Sequence, residues 1–365
     1  VPRRETNPDD SRPFRALSVS GGGMRGLYTA AYLDALASGF ARQRGVPALD
    51  LASGFDLIAG TSTGAILACA IAKRVPMQRV TALYRKCGRA IFPSQVPQST
   101  LRIALQLPFR SAINASGAKA LRAALVDCYG TTTLGEVYQE SQVALCIPTV
   151  NMRTHRAWVF KTPHIPESNH RDDNYSLVDV CMASTAAPIF RSLEALAARD
   201  PQTHDVFADG GLWANNPVIV TLLDALQIAG SRPVEIYCAG NPSRLGGFLI
   251  DEKDTHWGYG TWRFGATAAE VSIDAQDFGV TNVAKLLARH VRIPCRVVEF
   301  PREPMRCEES DLATLDNASP AALKALTAQA LTDADRTNSL CNDAGNAEGQ
   351  LIRNLFYSMQ PTDTA

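Results

Sequence analysis

The stretch FDLIAGTSTGAILACAIAKR, Phe55–Arg74, decides the fold. Its first part, FDLIA, is a short apolar run of the kind that is buried in a parallel sheet, and AILACAIAKR reads as a helix starting directly after Gly64. Between them, GTSTG at Gly60–Gly64 matches G-x-S-x-G, a sharp strand-to-helix turn that lifts Ser62 into an exposed and strained position. Gly60 and Gly64 are small because bulk two places before or after the serine would collide with the turn. The helix start behind the serine adds positive potential where negative charge would develop during a reaction. Ser62 is thus a candidate nucleophile, and it needs a base to take its proton.

Upstream, GGGMRG at Gly21–Gly26 follows the alternating run FRALSVS. Gly21, Gly23 and Gly26 satisfy G-x-G-x-x-G, the dinucleotide-binding turn, which would make the chain an oxidoreductase. The same residues also suit a loop whose backbone N–H groups hold an oxyanion. The dinucleotide reading requires an acidic residue about 20 positions further on, at the end of the next strand. Asp50 and Asp56 fall late for that role, and FDLIAGT ends in the serine turn instead. Downstream, VFADGGLWANNP carries Asp209 after another expected strand, with Gly210 and Gly211 allowing a tight turn beside a reacting centre. In a parallel sheet GGGMRG, GTSTG and DGG would gather at the carboxyl edge, where such sheets place their active sites.

Six histidines are available to a Ser–His–Asp triad. His256 and His290 follow Asp209 in the order of an α/β-hydrolase, but His290 lies at helical spacing in KLLARHVRI, and no histidine stands out. His164, His170, Asp172 and Asp173 lie in PHIPESNHRDDNY, whose spacing fits no helix-borne metal motif and reads as a solvated loop. The nine cysteines occur singly, with no C-x-x-C, and read as reduced thiols of a cytoplasmic protein.

Lys plus Arg and Asp plus Glu are equal at 36 each, which removes a global charge that would draw the chain to a nucleic-acid polymer. Any membrane contact must come from a local patch. The longest helix-like apolar stretch, Gly64–Ala72, falls far short of the ~20 residues that span a bilayer. The polar start, residues 1–13, reads as a disordered lead-in and not as a signal peptide. Short strand-like runs alternate with helical ones from Phe14 to Asn241, which argues for an α/β fold with a mostly parallel sheet. Residues 242–365 read as a helical extension packed on that core. Pro93–Ala118, apolar and basic, is either a mobile lid or a loop and short helix packed on the domain edge.

In combination these motifs resemble the patatin-like phospholipases, whose pattern is G-G-G-x-[RK]-G, then G-x-S-x-G about 40 residues later, then D-G-[GA]. ASTAAPIF at Ala183–Phe190 and the NNP after DGG are similar to family features, and the resemblance covers Phe14 to Asn241. It implies a three-layer fold with a mostly parallel central sheet flanked by helices, and a lipid-acyl hydrolase using a Ser–Asp dyad. It makes Ser62 the nucleophile and Asp209 its base, with no histidine between them. N–H groups around Gly22, Gly23 and Met24 would form the oxyanion hole, and Arg25 would brace that loop. The scheme requires no metal or other cofactor. The implied substrate is membrane phospholipid, met peripherally at the inner membrane surface. The chain also suits the bacterial branch of antiphage effectors switched on by cyclic nucleotides, so constitutive and switched action both stand open here, as do monomer and homo-oligomer.

Overall fold

The computed structural model describes residues 12–96, 106–197, 204–242, 250–262 and 265–363. Ten strands are defined: β1 (Phe14–Val19), β2 (Ala48–Leu49), β3 (Leu57–Gly60), β4 (Ala144–Asn151), β5 (Arg156–Lys161), β6 (Glu194–Ala197), β7 (His204–Asp209), β8 (Val234–Ala239), β9 (Cys295–Glu299) and β10 (Pro361–Thr362). Eight of them form the central sheet in the order β6-β7-β4-β3-β1-β8-β9, with β5 paired to β4. The pairs β4–β3, β3–β1, β1–β8 and β8–β9 are parallel; β5, β7 and β6 run antiparallel to their neighbours.

The central strands are buried along nearly their whole length because both faces are covered, and the charges on β1 and β8, Arg15 and Glu235, pair with each other at 3.0 Å. Leu17, Val19, Ile58, Leu145, Ile147, Tyr237 and Ala239 belong to one core. The alternate positions Phe14, Ala16, Leu57, Ala59, Ala144, Cys146, Ile236 and Cys238 belong to the other. This is the period-2 alternation of a pleated strand, filled on both sides. The helices Gly26–Arg44, Thr63–Ala72, Met77–Ile91 and Pro320–Asn342 contribute to the first core, and Val218–Ile228 with Ala266–Ala288 to the second. The result is the three-layer α/β arrangement expected for the family fold.

Residues 242–365 are not a purely helical extension. After the helix Ala266–Ala288 the chain re-enters the sheet as β9, in register with β8 from Val234↔Cys295 to Cys238↔Glu299. CRVVE supplies the buried Val297 and Val298, which join the cores on opposite faces of this end of the sheet. β10 pairs with β2, and the Pro320–Asn342 helix is fastened to Gly26–Arg44 by Tyr28 Oη donating to Asp333 Oδ2 at 2.6 Å. Phe40 stacks on Phe356 with centroids 4.8 Å apart. The expected lead-in lies outside the described residues up to position 11, while Arg12 pairs with Asp56 at 2.8 Å.

Of the expected lid segment, residues 97–105 lie outside the described residues. Its later part opens the long helix Arg110–Tyr129, which buries Leu121 and Leu125 and packs against Met77–Ile91 and Leu177–Ser184. PHIPESNHRDDNY is anchored rather than freely solvated. Asp172 is buried and accepts Lys161 N–H at 3.0 Å, and the His164 ring is buried against Asp224. Sequence reasoning missed this because the partners Lys161 and Asp224 lie on other elements.

Candidate active site

The loops after β1 and β3 leave the sheet side by side at its carboxyl edge. The strand carrying Asp209 arrives differently from the expectation of three parallel strand ends. β5 pairs with Cys146–Asn151 of β4 while β7 pairs with Thr149–Asn151, so β5 and β7 lie on opposite edges of β4. β3 pairs with Ala144–Cys146 and shares the edge with β7. β3 running up and β7 running down therefore end facing each other along one edge of β4. That end-to-end meeting, not parallel alignment, brings Asp209 to Ser62.

At the meeting point Ser62 Oγ donates to Asp209 Oδ2 at 2.7 Å, and Gly211 N–H donates to Asp209 Oδ1 at 2.7 Å. Both carboxylate oxygens are thus engaged within a buried setting. Burial raises the Asp209 carboxyl to about 6, against the opposing pull of the Gly211 and Ser62 hydrogen bonds and the nearby Arg191 charge. Ser62 has φ 55° and ψ −124°, a left-sided conformation that non-glycine residues avoid and that costs about 1–3 kcal/mol. The surrounding contacts hold it there. Its N–H donates to Ser184 Oγ at 2.9 Å, and Ser184 Oγ donates in turn to Pro148 O at 2.8 Å. A Cβ on Gly60 would run into the Gly64 carbonyl, and one on Gly64 into the Val19 carbonyl. The elbow is therefore closed to larger residues on both sides.

The glycine loop is pinned by two asparagines. Asn215 Nδ2 and Asn241 Nδ2 donate to Gly21 O at 3.3 and 2.6 Å, and Gly21 N–H donates to Asn215 O at 2.9 Å. Arg25 is buried and donates from Nε to Gly22 O at 3.4 Å and from Nη1 to Asp274 Oδ1 at 3.3 Å. The N–H groups expected to hold an oxyanion are unequally available. Gly22 N–H donates to Thr63 Oγ1 at 3.1 Å and Met24 N–H to Leu315 O at 2.8 Å, whereas Gly23 N–H takes no partner among the described residues. Gly23 has φ +57°, and a Cβ there would meet the Leu315 carbonyl.

Ser62, Asp209 and this loop line one cavity of about 320 Å³. Much of its wall is apolar, including Ile66, Leu83, Phe92, Leu121, Phe190 and Leu315. Such a cavity fits an alkyl chain next to a hydroxyl–carboxylate pair. Arg191 also stands in its wall.

His256 and His290 are exposed and make no hydrogen bond to Ser62 or Asp209. The triad alternative is therefore not assembled. The acidic residues of the dinucleotide reading are committed elsewhere. Asp50 accepts Ala52 N–H and pairs with Arg74, and Asp56 accepts Arg15 N–H and pairs with Arg12 and Arg232.

Away from this cavity, Cys146 Sγ, His164 Nε2 and Asp224 Oδ2 converge within 4.8 Å. Their mutual hydrogen bonds and the Lys161–Asp224 ion pair at 2.8 Å account for the cluster without an ion. The eight cysteines whose side chains are described are free thiols. Among the described residues no helix is long and apolar enough to cross a membrane.

Four features of the site escaped sequence reasoning. Ser184 lies inside the noted ASTAAPIF run and Asn215 inside NNP, so both carried a signal without a role. Asn241 and Arg191 carried none.

The family model for patatin-like phospholipase matches residues 17–222. A cGAMP-activated phospholipase of Pseudomonas aeruginosa is 32% identical over 276 residues, covering 74% of each chain. A protein of the same name from Escherichia coli is 28% identical over 361 residues, covering 96% of this chain and 94% of the relative. Its Vibrio cholerae counterpart is 32% identical over 220 residues, 58% of each. With its fold and matched motifs, this chain belongs to the patatin-like phospholipase family.

Proposed function

We propose that this chain hydrolyses the fatty-acyl esters of membrane glycerophospholipids through a Ser62–Asp209 dyad. The 2.7 Å contact between Ser62 Oγ and Asp209 Oδ2, opening on an apolar cavity, carries the reading. Asp209 takes the hydroxyl proton as Ser62 Oγ attacks the ester carbonyl, and then gives it to the departing lysolipid alcohol. Water deprotonated by the same carboxylate releases the fatty acid and restores Ser62. A carboxyl at about 6 is ionised at neutral pH yet still basic enough for both steps. Gly23 N–H is the first donor to the tetrahedral oxyanion, and Gly22 and Met24 N–H join it when the Thr63 hydroxyl and the Leu315 carbonyl give way. Arg25 holds the loop in place. Each such donor lowers the barrier by about 3 kcal/mol.

The three curated relatives carry cGAMP activation in their names, and their likeness supports a cyclic-nucleotide switch here. The chain would then act peripherally on the inner membrane surface in antiphage defence. Occupied loop donors suit a resting enzyme. The test is fatty-acid release from phosphatidylethanolamine–phosphatidylglycerol vesicles with and without cGAMP. Release that is much faster with cGAMP is expected. No release under either condition overturns the hydrolase, and equal rates overturn the switch.

A further inference from the structure

Arg191 takes no part in the Ser62–Asp209 contact, yet it stands in the wall of the same cavity. Its side chain is 7% exposed, and neither Nη1 nor Nη2 has a hydrogen-bond partner among the described residues. The two carboxylates that act on it are already engaged. Asp209 holds Ser62 and Gly211, and Glu194 accepts Arg122 Nη2 at 2.5 Å. The nearest aromatic face, Phe92, lies 6.0 Å from the guanidinium carbon. Burial lowers the guanidinium to about 10, so it stays charged at neutral pH.

The turn leading to Arg191 is strained in an independent way. Ile189 has φ 75°, a conformation that β-branched residues strongly avoid. Its carbonyl is clamped by Arg110 Nε and Asn114 Nδ2, both at 3.3 Å, and Arg191 N–H closes the turn on Ala187 O at 2.8 Å. Strain of this kind persists where surrounding contacts over-determine it, and it collects at ligand sites. Here it accompanies a guanidinium whose Nη groups lack hydrogen-bond partners among the described residues, in a cavity wall that is largely apolar beside the dyad.

A buried charge without a partner is costly, and a guanidinium with two free nitrogens is shaped for a bidentate oxyanion. We propose that Arg191 binds the phosphodiester of the glycerophospholipid, so that the site selects phospholipids over neutral glycerides carrying the same acyl chains. The inference rests on the ester-hydrolase reading above for its substrate class. It adds a specificity-determining residue.

The test compares wild type, Arg191→Met and Arg191→Lys, first for binding to micelles of a non-hydrolysable diether phosphatidylglycerol and of the matching dialkylglycerol, then for hydrolysis of phosphatidylglycerol and of diacylglycerol. Wild type should prefer the phosphodiester in both assays. Arg191→Met should lower the phospholipid-to-neutral ratio of kcat/KM by about 30-fold, mostly through KM, as expected for losing a charge-assisted contact. Arg191→Lys should recover part of it. Removing the guanidinium also withdraws a positive charge from Asp209, so a thermal melt checks that each variant folds and the ratio between the two lipids, not the absolute rate, is the readout. Equal losses on both lipids would overturn the proposal in favour of a general effect on the dyad. So would a wild type that binds the two ether lipids alike, or a ratio left unchanged in Arg191→Met. A wild type that prefers the ether phospholipid but hydrolyses neither lipid would refute the hydrolase reading and leave Arg191 as a phosphodiester receptor.

Discussion

Asp209→Asn should give a protein that is inactive and more stable than wild type, by an amount that depends on pH. The Asp209 carboxyl rises from its ordinary 3.8 to about 6 in the folded chain, chiefly through burial. Its proton is therefore bound more tightly in the folded state than in the unfolded one. Stability contributed by that proton is fully present below pH 3.8 and is lost as pH rises through about 6. The shift corresponds to about 3 kcal/mol in total, of which about 2 kcal/mol is lost between pH 4.5 and 7.5. Asparagine keeps the size of the side chain and can still accept from Gly211 N–H, but it carries no such titration. Urea unfolding of both proteins at pH 4.5, 6 and 7.5 reads the difference directly. The advantage of the Asn variant should grow with pH and level off above about 7. A variant less stable than wild type at pH 7.5, or an advantage that does not change with pH, would refute the claim that a buried carboxylate is held ionised at a cost to the fold.

The same carboxyl should set the acid limb of the rate profile. Hydrolysis of a short soluble ester should fall about tenfold per pH unit below 6 and plateau above 7, and a midpoint near 4 would contradict the burial argument. Alanine at His256 and at His290, each tested separately, should leave lipid hydrolysis within about twofold of wild type; a thousandfold drop for either would reinstate a triad. Gly64→Ala should cost about 3 kcal/mol or more, because the added methyl meets the Val19 backbone carbonyl, which cannot swing aside. Soluble protein with unchanged melting temperature and activity would show that the elbow tolerates bulk.

The parts of the site that were legible in the sequence are those fixed by local stereochemistry. GTSTG announces its turn because Gly60 and Gly64 must be small for a strand to pass directly into a helix, and GGGMRG announces a tight glycine loop, though not that the Gly22 and Met24 N–H groups are taken by Thr63 and Leu315. FRALSVS and PVEIYCAG are legible as strands in the same way, whereas Arg15, Ser18 and Glu235 hide that β1 and β8 are covered on both faces. What stayed hidden depends on long-range pairing. Nothing within VFADGG tells that β7 runs antiparallel and meets β3 end to end, since that is decided by β4 extending past β3. β9 escaped notice because Arg296 and Glu299 leave only Val297 and Val298 as an apolar signal within CRVVE. Asn241 and Arg191 are ordinary residues until the chain folds around them. What distinguishes them is what lies opposite, Gly21 O for Asn241 and the dyad's cavity for Arg191.

The central claim is that Ser62 is the nucleophile and Asp209 its base. A fluorophosphonate probe, applied in the presence of cGAMP and followed by peptide mapping, tests it most directly. A single covalent adduct is expected, on Ser62, formed at a rate that falls by at least about a thousandfold in Asp209→Asn while the variant stays folded. An adduct on another residue, or undiminished labelling of Ser62 in Asp209→Asn, would contradict it.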